Sequence, residues 1–432
     1  MIRKMAFAAV MTAGLMAPVN AADKGGVNNG LADLDERVSE LEATVARKGT
    51  RKVTVTLSGS VHKGMLWHDI DGAPGDNKGA FFDPGHDPTR IRIDGTGKIS
   101  KSWMAGFVVE FAVTNSTAQG IDSGKALIAI PAMADGKNEF QIGDQGTYIR
   151  HSFLYLEGPV GRISLGQTSG ATDGVTEVSL GNTLVASRPL SLSPMQFGNA
   201  LAVLNVPFDG YRSNVARWDS PALAGFIASA SWSDSETWEA SLKWAGEFSG
   251  VRLAAAVGYR DASRTVVDAV NVINLLDLLT LDVTSSHKSF AGSASIKHMG
   301  TGLFATAFAS KVNMDLGISL GILPPLFVFS GPLGSLDVVG YGAQIGWEKN
   351  ITGLGNTSIY AEWQRTDSKN VTGPVAFTRD TTMGVTVVQS IDAFAMDLYL
   401  GARKIDAGDA SGFCLGICED ATVITSGAKI RF

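Results

Sequence analysis

From Lys52 onward, hydrophobic and polar residues follow a period of two. Val53, Val55, Leu57 and Val61 alternate with Thr54, Thr56, Ser58 and Ser60, while Phe107, Val109, Phe111 and Val113 flank Glu110 and Ala112 in the same rhythm. The stretches 238–244, 251–259 and 341–347 behave alike. Successive strand side chains point to opposite faces, so each stretch predicts a strand with one apolar face and one small or polar face. Sixteen segments fit, near 53–67, 89–99, 103–114, 147–157, 161–168, 211–219, 225–233, 237–246, 250–260, 287–298, 301–312, 338–348, 356–367, 382–390, 393–404 and 421–432. Most have the length that a tilted strand needs to cross a bilayer, about 9–11 residues.

The connections alternate in length. Short ones fall at 100–102, 158–159, 221–224, 247–249, 299–300, 349–355 and near Ile391. Long ones fall at 68–88, 115–146, 169–210, 261–286, 313–337, 368–381 and 405–420, with 233–237 a short member of that series. A soluble sandwich has no reason to gather its tight turns at one end, whereas an up-and-down transmembrane barrel does. The predicted fold is therefore all-β and membrane-embedded: a 16-stranded antiparallel transmembrane β-barrel over residues 50–432. An even strand count puts both termini on the periplasmic side of the outer membrane. Trp103, Trp218, Trp232, Trp238, Trp244, Trp347, Trp363 and Tyr259 fall near predicted strand ends, as expected of rings seated at a bilayer interface. In the last strand, counting back from Phe432 puts Ile430, Ala428 and Ile424 towards lipid and Arg431 and Lys429 inside, with Phe432 closing the barrel against the first strand.

A different pattern precedes Lys52. Arg3 and Lys4, an apolar core from Met5 to Met16, and Val19-Asn20-Ala21 read as a signal peptide over residues 1–21. Within 22–49, Leu31, Leu34, Val38, Leu41 and Val45 are spaced 3, 4, 3, 4, a short heptad seam. Arg37 falls at g and Glu42 at the next e, where they can pair between helices. Two heptads are marginal alone. The expectation is a periplasmic trimeric coiled coil dependent on a larger assembly, with a helix lying on its own domain as the alternative.

Composition agrees with this picture without deciding it. Glycine is abundant at 50 of 432, apolar residues make up 45% and charged residues 18%. Of 36 basic residues, removing Arg3 and Lys4 leaves 34 against 42 acidic, a mature charge of about −8 that argues against nucleic acid as a partner. The cysteines, Cys414 and Cys418, are too close to staple distant elements. In an exported chain they point to a disulfide at one loop tip, with a metal site or two free thiols as alternatives. Enzyme signatures are lacking: His62, His68, His86, His151, His287 and His298 form no H-E-x-x-H pair, and 161–166 misses the nucleophile-elbow spacing. Position twelve from Asp69 is Ala80, not the glutamate of a calcium loop. No cofactor or metal is expected.

Three stretches resemble the alphaproteobacterial family of outer-membrane general porins: 34–49 followed by 51–59, the central Tyr211-Arg-Ser-Asn-Val-Ala-Arg-Trp-Asp-Ser-Pro221 with Ala224-Gly-Phe226, and Val387-Val-Gln-Ser-Ile-Asp392 with 398–401. In the central stretch that family more often has Tyr where this chain has Trp218. The resemblance implies a homotrimeric, water-filled barrel for small hydrophilic solutes. Its partners would be outer-membrane lipid, lipopolysaccharide and, through the C-terminal strand, the barrel-assembly machinery. It also implies that the connection after the fifth strand, 169–210, folds inward as a constriction carrying Asp173, Glu177 and Arg188.

The wall opposite follows from alternation. Ile91, Ile93 and Ile99 mark one face, so Arg90, Arg92, Asp94 and Lys98 take the other. An Arg or Lys facing lipid at mid-membrane costs roughly 2–4 kcal/mol. Glu110, Lys243, Arg252, Glu362, Lys429 and Arg431 fall inside or at the rim by the same logic, and Arg150, Arg212 and Arg217 are assigned to the wall although their strands alternate poorly. The connections 261–286 and 313–337 are unusually apolar for outer loops, which predicts packing over the mouth, or else a surface for an amphiphilic ligand. A solute-specific channel and a structural or adhesive surface barrel are the alternative functions.

Overall fold

The structure is a computed structural model that describes residues 52–70, 78–84, 87–114, 146–187, 209–233, 236–267, 279–322, 327–372, 379–406 and 420–432. The expected signal peptide and heptad seam, Arg188, Cys414 and Cys418 lie outside the described residues.

The strands are β1 (Thr54–Ile70), β2 (Lys78–Phe82), β3 (Thr89–Lys98), β4 (Met104–Thr114), β5 (Gly146–Gly158), β6 (Gly161–Ser169), β7 (Arg212–Asp219), β8 (Phe226–Ser233) and β9 (Thr237–Phe248). They continue with β10 (Val251–Val267), β11 (Leu279–His298), β12 (Leu303–Ile322), β13 (Phe327–Lys349), β14 (Thr357–Thr372), β15 (Arg379–Ile391), β16 (Met396–Asp406) and β17 (Ala421–Arg431). Each from β3 on pairs antiparallel with the next, and β17 pairs with β1. The lower part of β1 pairs with β3 and its upper part with β2, so β2 and β3 form one interrupted stave. Seventeen strands thus make a closed barrel of sixteen staves. Closure joins the last strand to the first, the condition lipid imposes on a backbone.

The seam has the predicted register. Gly59 N–H donates to the Phe432 carbonyl at 2.9 Å, and Phe432 N–H donates back at 3.1 Å. Lys429 is 1% exposed and faces in, whereas Ile430 is 43% exposed and faces out. Tight turns gather at the seam end. At 249–250, Ser249 and Gly250 both have positive φ (48° and 78°), the geometry of a type I′ hairpin turn. The outer face carries two aromatic belts: Trp218, Phe226, Trp244 and Phe248 near the tight turns, and Trp232, Trp238, Phe290 and Trp363 higher up, all well exposed except the half-buried Trp244. Trp238 and Trp244 are six residues apart on β9, roughly 20 Å along a strand, which fits the height of an apolar band.

The structure corrects three expectations. The stretches 261–286 and 313–337 are mostly not loops. β10 runs on to Val267, β11 starts at Leu279, β12 reaches Ile322 and β13 starts at Phe327. Leu279, Leu281 and Val283 alternate with Thr280, Asp282 and Thr284, and Ile318, Leu320 and Ile322 with Ser319 and Gly321. That period-two pattern continues the sheet as a tall wall, with Leu281 in register with Leu320 and Leu320 with Phe329. The first long connection, 68–88, holds β2, and β1 extends to Ile70. Lys98 closes β3 as an exposed residue, so it belongs to the rim rather than the wall.

The seam yields a test. A Cβ added at Gly59 would sit 2.6 Å from the Phe432 ring and 2.5 Å from the Arg90 carbonyl oxygen. Gly59→Val should weaken barrel closure by about 1–3 kcal/mol. On gels of unboiled protein, the folded band should be lost at a lower temperature than in wild type.

Candidate functional site

The inner face carries two opposed features: a chain segment laid along one side of the lumen and a charged cluster on the other. The segment is 170–187, the described start of the connection between β6 and β7. Its base is fixed where Gly170 N–H donates to the Tyr211 carbonyl at 3.0 Å and Arg217 Nη1 donates to the carbonyls of Ser169 and Gly170 at 3.0 and 2.9 Å. It then runs past successive staves. Thr172 donates through N–H and Oγ1 to Glu239 on β9 at 2.8 and 2.9 Å. Val178 and Leu180 N–H groups donate to Ser293 and Ser295 on β11, both at 3.0 Å. Asn182 N–H donates to Glu348 on β13 at 2.8 Å, and its side chain reaches Ser390 and Asp397. Ser187 bonds Tyr360 on β14 at 2.8 Å, and Arg403 on β16 donates to the Ala186 carbonyl at 3.0 Å.

Most of these partners sit at the buried positions of their strands, alternating with exposed residues such as Phe290, Ile296, Ile345 and Leu400. The wall there offers short hydroxyls and a few carboxylates, which suits a backbone whose own N–H groups would otherwise lack partners. Apolar contacts add to the anchoring. Val175 packs with Ala256 and Ala291, and Val185 and Ala186 with Phe304, Tyr360, Val388 and Tyr399. A buried valine contributes roughly 1.5–3 kcal/mol.

Asp173 and Glu177 lie on this segment, and their carboxylate oxygens gather with that of Asp209 within 4.8 Å of one another. Thr176 Oγ1 donates to Asp209 at 2.6 Å. The segment bonds staves from β7 to β16, and among the described residues β17, β1 and β3 to β5 form the wall on the other side.

The opposite wall carries the charged cluster, centred on buried Glu110 of β4. Arg150 Nε donates to Glu110 at 2.8 Å, Arg92 Nη1 lies 3.3 Å away and Arg90 Nη1 3.7 Å away. Arg92 also forks onto Asp94 with two bonds of 2.8 Å, and Arg90 pairs with Asp87. Arg150 and His151 are both buried because a bulge breaks the ladder between Glu110 and Phe111. The extra residue reverses the alternation of β5, which explains why periodicity left Arg150 ambiguous. Arg217 is buried on Asp219, and Arg212 opens β7 half-buried in register with Ser169. Next to this cluster Lys429 pairs with Asp87, while His62 lies between the Asp87 carbonyl at 2.8 Å and the Tyr399 hydroxyl at 3.2 Å.

Of the remaining positions assigned to the interior, Glu362 meets Arg403 and Gln344, Arg431 pairs with Asp397, and Lys243 shares the face of buried Glu239 and Ser241. Arg252 sits at the rim, paired with Glu247 at 2.7 Å. Inner residues that pattern reading passed over are Glu239, Arg260, Lys297, Glu348, Tyr360 and Arg403. Alternation marks Lys297, which follows outward Ile296. It does not mark Arg403, which is followed by another charge at Lys404.

Comparison with known proteins agrees with the geometry. A family model described as Gram-negative porin matches residues 6–417. No curated protein matches by sequence. Among solved structures, the trimer form of OmpT, an outer membrane protein of Vibrio cholerae, is 14% identical, with a TM-score of 0.52 over 88% of this chain and 99% of that one. The anion-selective porin from Comamonas acidovorans is 15% identical, with a TM-score of 0.50 over 88% of this chain and all (100%) of that one. At these identities the two structures match in fold.

The cluster makes Glu110 a keystone. Replacing it by glutamine leaves three arginines around a neutral group, and breaking a buried ion pair costs about 3–5 kcal/mol. Glu110→Gln should lower the temperature at which the folded band is lost. Arg150→Gln should lower it less, because Glu110 keeps Arg90 and Arg92.

Proposed function

The chain belongs to the Gram-negative porin family, channels of the outer membrane, and from that premise we propose that its lumen passes small hydrophilic solutes and ions through a constriction set by residues 170–187. The observation that carries this reading is the run of hydrogen bonds fastening that segment to the inner wall from β7 to β16. A segment held there narrows the opening and places Asp173 and Glu177 on its own side. Arg90, Arg92 and Arg150 stand on the opposite wall. Opposed charges across a narrow aqueous gap orient dipolar solutes and sort ions by sign.

The chain acts as a channel rather than an enzyme in this reading, and the polar, hydroxyl-rich inner face supports passive diffusion over binding to a single solute. The apolar stretches 261–286 and 313–337, read as a candidate ligand surface and the main support for a solute-specific channel, are largely strand, which weakens that alternative. The tight-turn end, which holds Phe432 and the start of β1, is the periplasmic end in our reading. A heptad seam ahead of β1 would lie beneath the barrels of a homotrimer, and the likeness of 34–59, 211–226 and 387–401 to alphaproteobacterial general porins supports the same assembly.

Charge selectivity tests the reading. A unit charge 4 Å from a passing ion is worth about 1 kcal/mol in water, a factor of about five in permeability ratio. The double variant Arg90→Gln, Arg92→Gln should move the zero-current potential in a salt gradient towards cations by about that factor. An unchanged potential removes these two residues from the selectivity-setting wall.

A further inference from the structure

A second polar feature lies nearer the tight-turn end than the Glu110 cluster. A pocket of about 360 Å³, counting space open to the lumen, is lined by Arg92, Arg162, Arg217, His151, Thr168 and Asp219 among others. Most of its charges are already matched. Arg92 forks onto Asp94, and Arg217 grips Asp219 with bonds of 2.8 to 3.1 Å. Asp219 also accepts from Ser229 at 2.6 Å, and His151 Nδ1 lies 3.1 Å from Thr168 Oγ1.

Arg162 is different. Its guanidinium carbon sits over aromatic rings, 3.6 Å from the Tyr155 centroid and 5.8 Å from that of Phe153. No carboxylate among the described residues lies within ion-pair distance of it, and its buried Nε has no hydrogen-bond partner. Stacking uses the face of a guanidinium and leaves its edge, where all five N–H donors point. The arrangement is a pre-positioned planar fork without an acceptor, beside two neutralised arginines and the hydroxyls of Ser164 and Thr168.

We propose that this pocket is a binding station for the oxyanion group, carboxylate or phosphate, of a small solute in the lumen, with Arg162 as its principal ligand. It rests on the lumen being open to solutes, as argued above. A planar fork matches the two oxygens of such a group, and a charge-assisted pair is the strongest contact available there. Tyr155 acts as a positioning residue, holding the fork so that little side-chain freedom is lost on binding.

Inorganic phosphate is the probe. Calorimetric titration of the purified, detergent-solubilised protein at low ionic strength should show saturable binding. Arg162→Gln should weaken it roughly tenfold or more, as expected for loss of a charged hydrogen bond. Arg252→Gln, at the rim and outside the pocket, should leave it unchanged, and retention of the folded gel band shows that each variant is intact. Absence of saturable binding, or equal binding by Arg162→Gln, overturns the proposal. Conductance in planar bilayers is measured on the same preparations. Binding without conductance contradicts the channel reading and leaves the site standing, whereas conductance without binding does the reverse.

Discussion

Backbone hydrogen bonding in lipid is the constraint from which this structure follows. In hydrocarbon an unpaired peptide group costs several kcal/mol, so a sheet that crosses a membrane must close on itself. Here closure falls on β1 and β17, where the register runs from Ser60 opposite Arg431 to Ile70 opposite Ala421. Once closed, each strand has an outside and an inside, and a one-residue slip would turn every charged side chain towards lipid. The positions of Arg90, Arg92, Glu110 and Lys429 are therefore consequences of the seam as much as of their own strands.

Closure also creates an interior that must be furnished. A barrel of sixteen staves is too wide for wall side chains to fill, and the chain lines it with a second layer of its own backbone. Residues 170–187 take their partners from Ser293, Ser295, Glu239 and Tyr360, while Val175 and Val185 bury apolar surface against the wall. The opposite side is held by ion pairs around Glu110 and Asp87. Anchored chain on one side and interlocked charge on the other leave a lumen whose walls differ in chemistry, the asymmetry on which the proposed sorting of solutes rests.

Much of this was legible because a half-buried strand declares its period. Ile430 outward and Lys429 inward follow from counting, as do the tight turns at one end. What escaped has physical causes. The upper parts of β11, β12 and β13 carry apolar residues beyond the span a bilayer needs, so length argued for loops where alternation continued. Short β2 was hidden because it is the upper half of a stave interrupted before β3. The bulge at Arg150 reversed the alternation within β5, and no local residue type announces a bulge. Partners of the inner segment, such as Arg403 and Glu348, were invisible because their contacts lie more than 150 residues away in sequence, at separations of 217 and 166.

The central claim is that residues 170–187, fastened to the inner wall, set the width of an open pore. Its most direct test is the size cut-off for uncharged polyethylene glycols that enter the channel and lower its conductance in planar bilayers. With the anchors at Asn182 and Ser187 replaced by alanine in protein that retains its folded gel band, the account predicts entry of larger polymers than wild type admits. An identical cut-off in wild type and variant would contradict it.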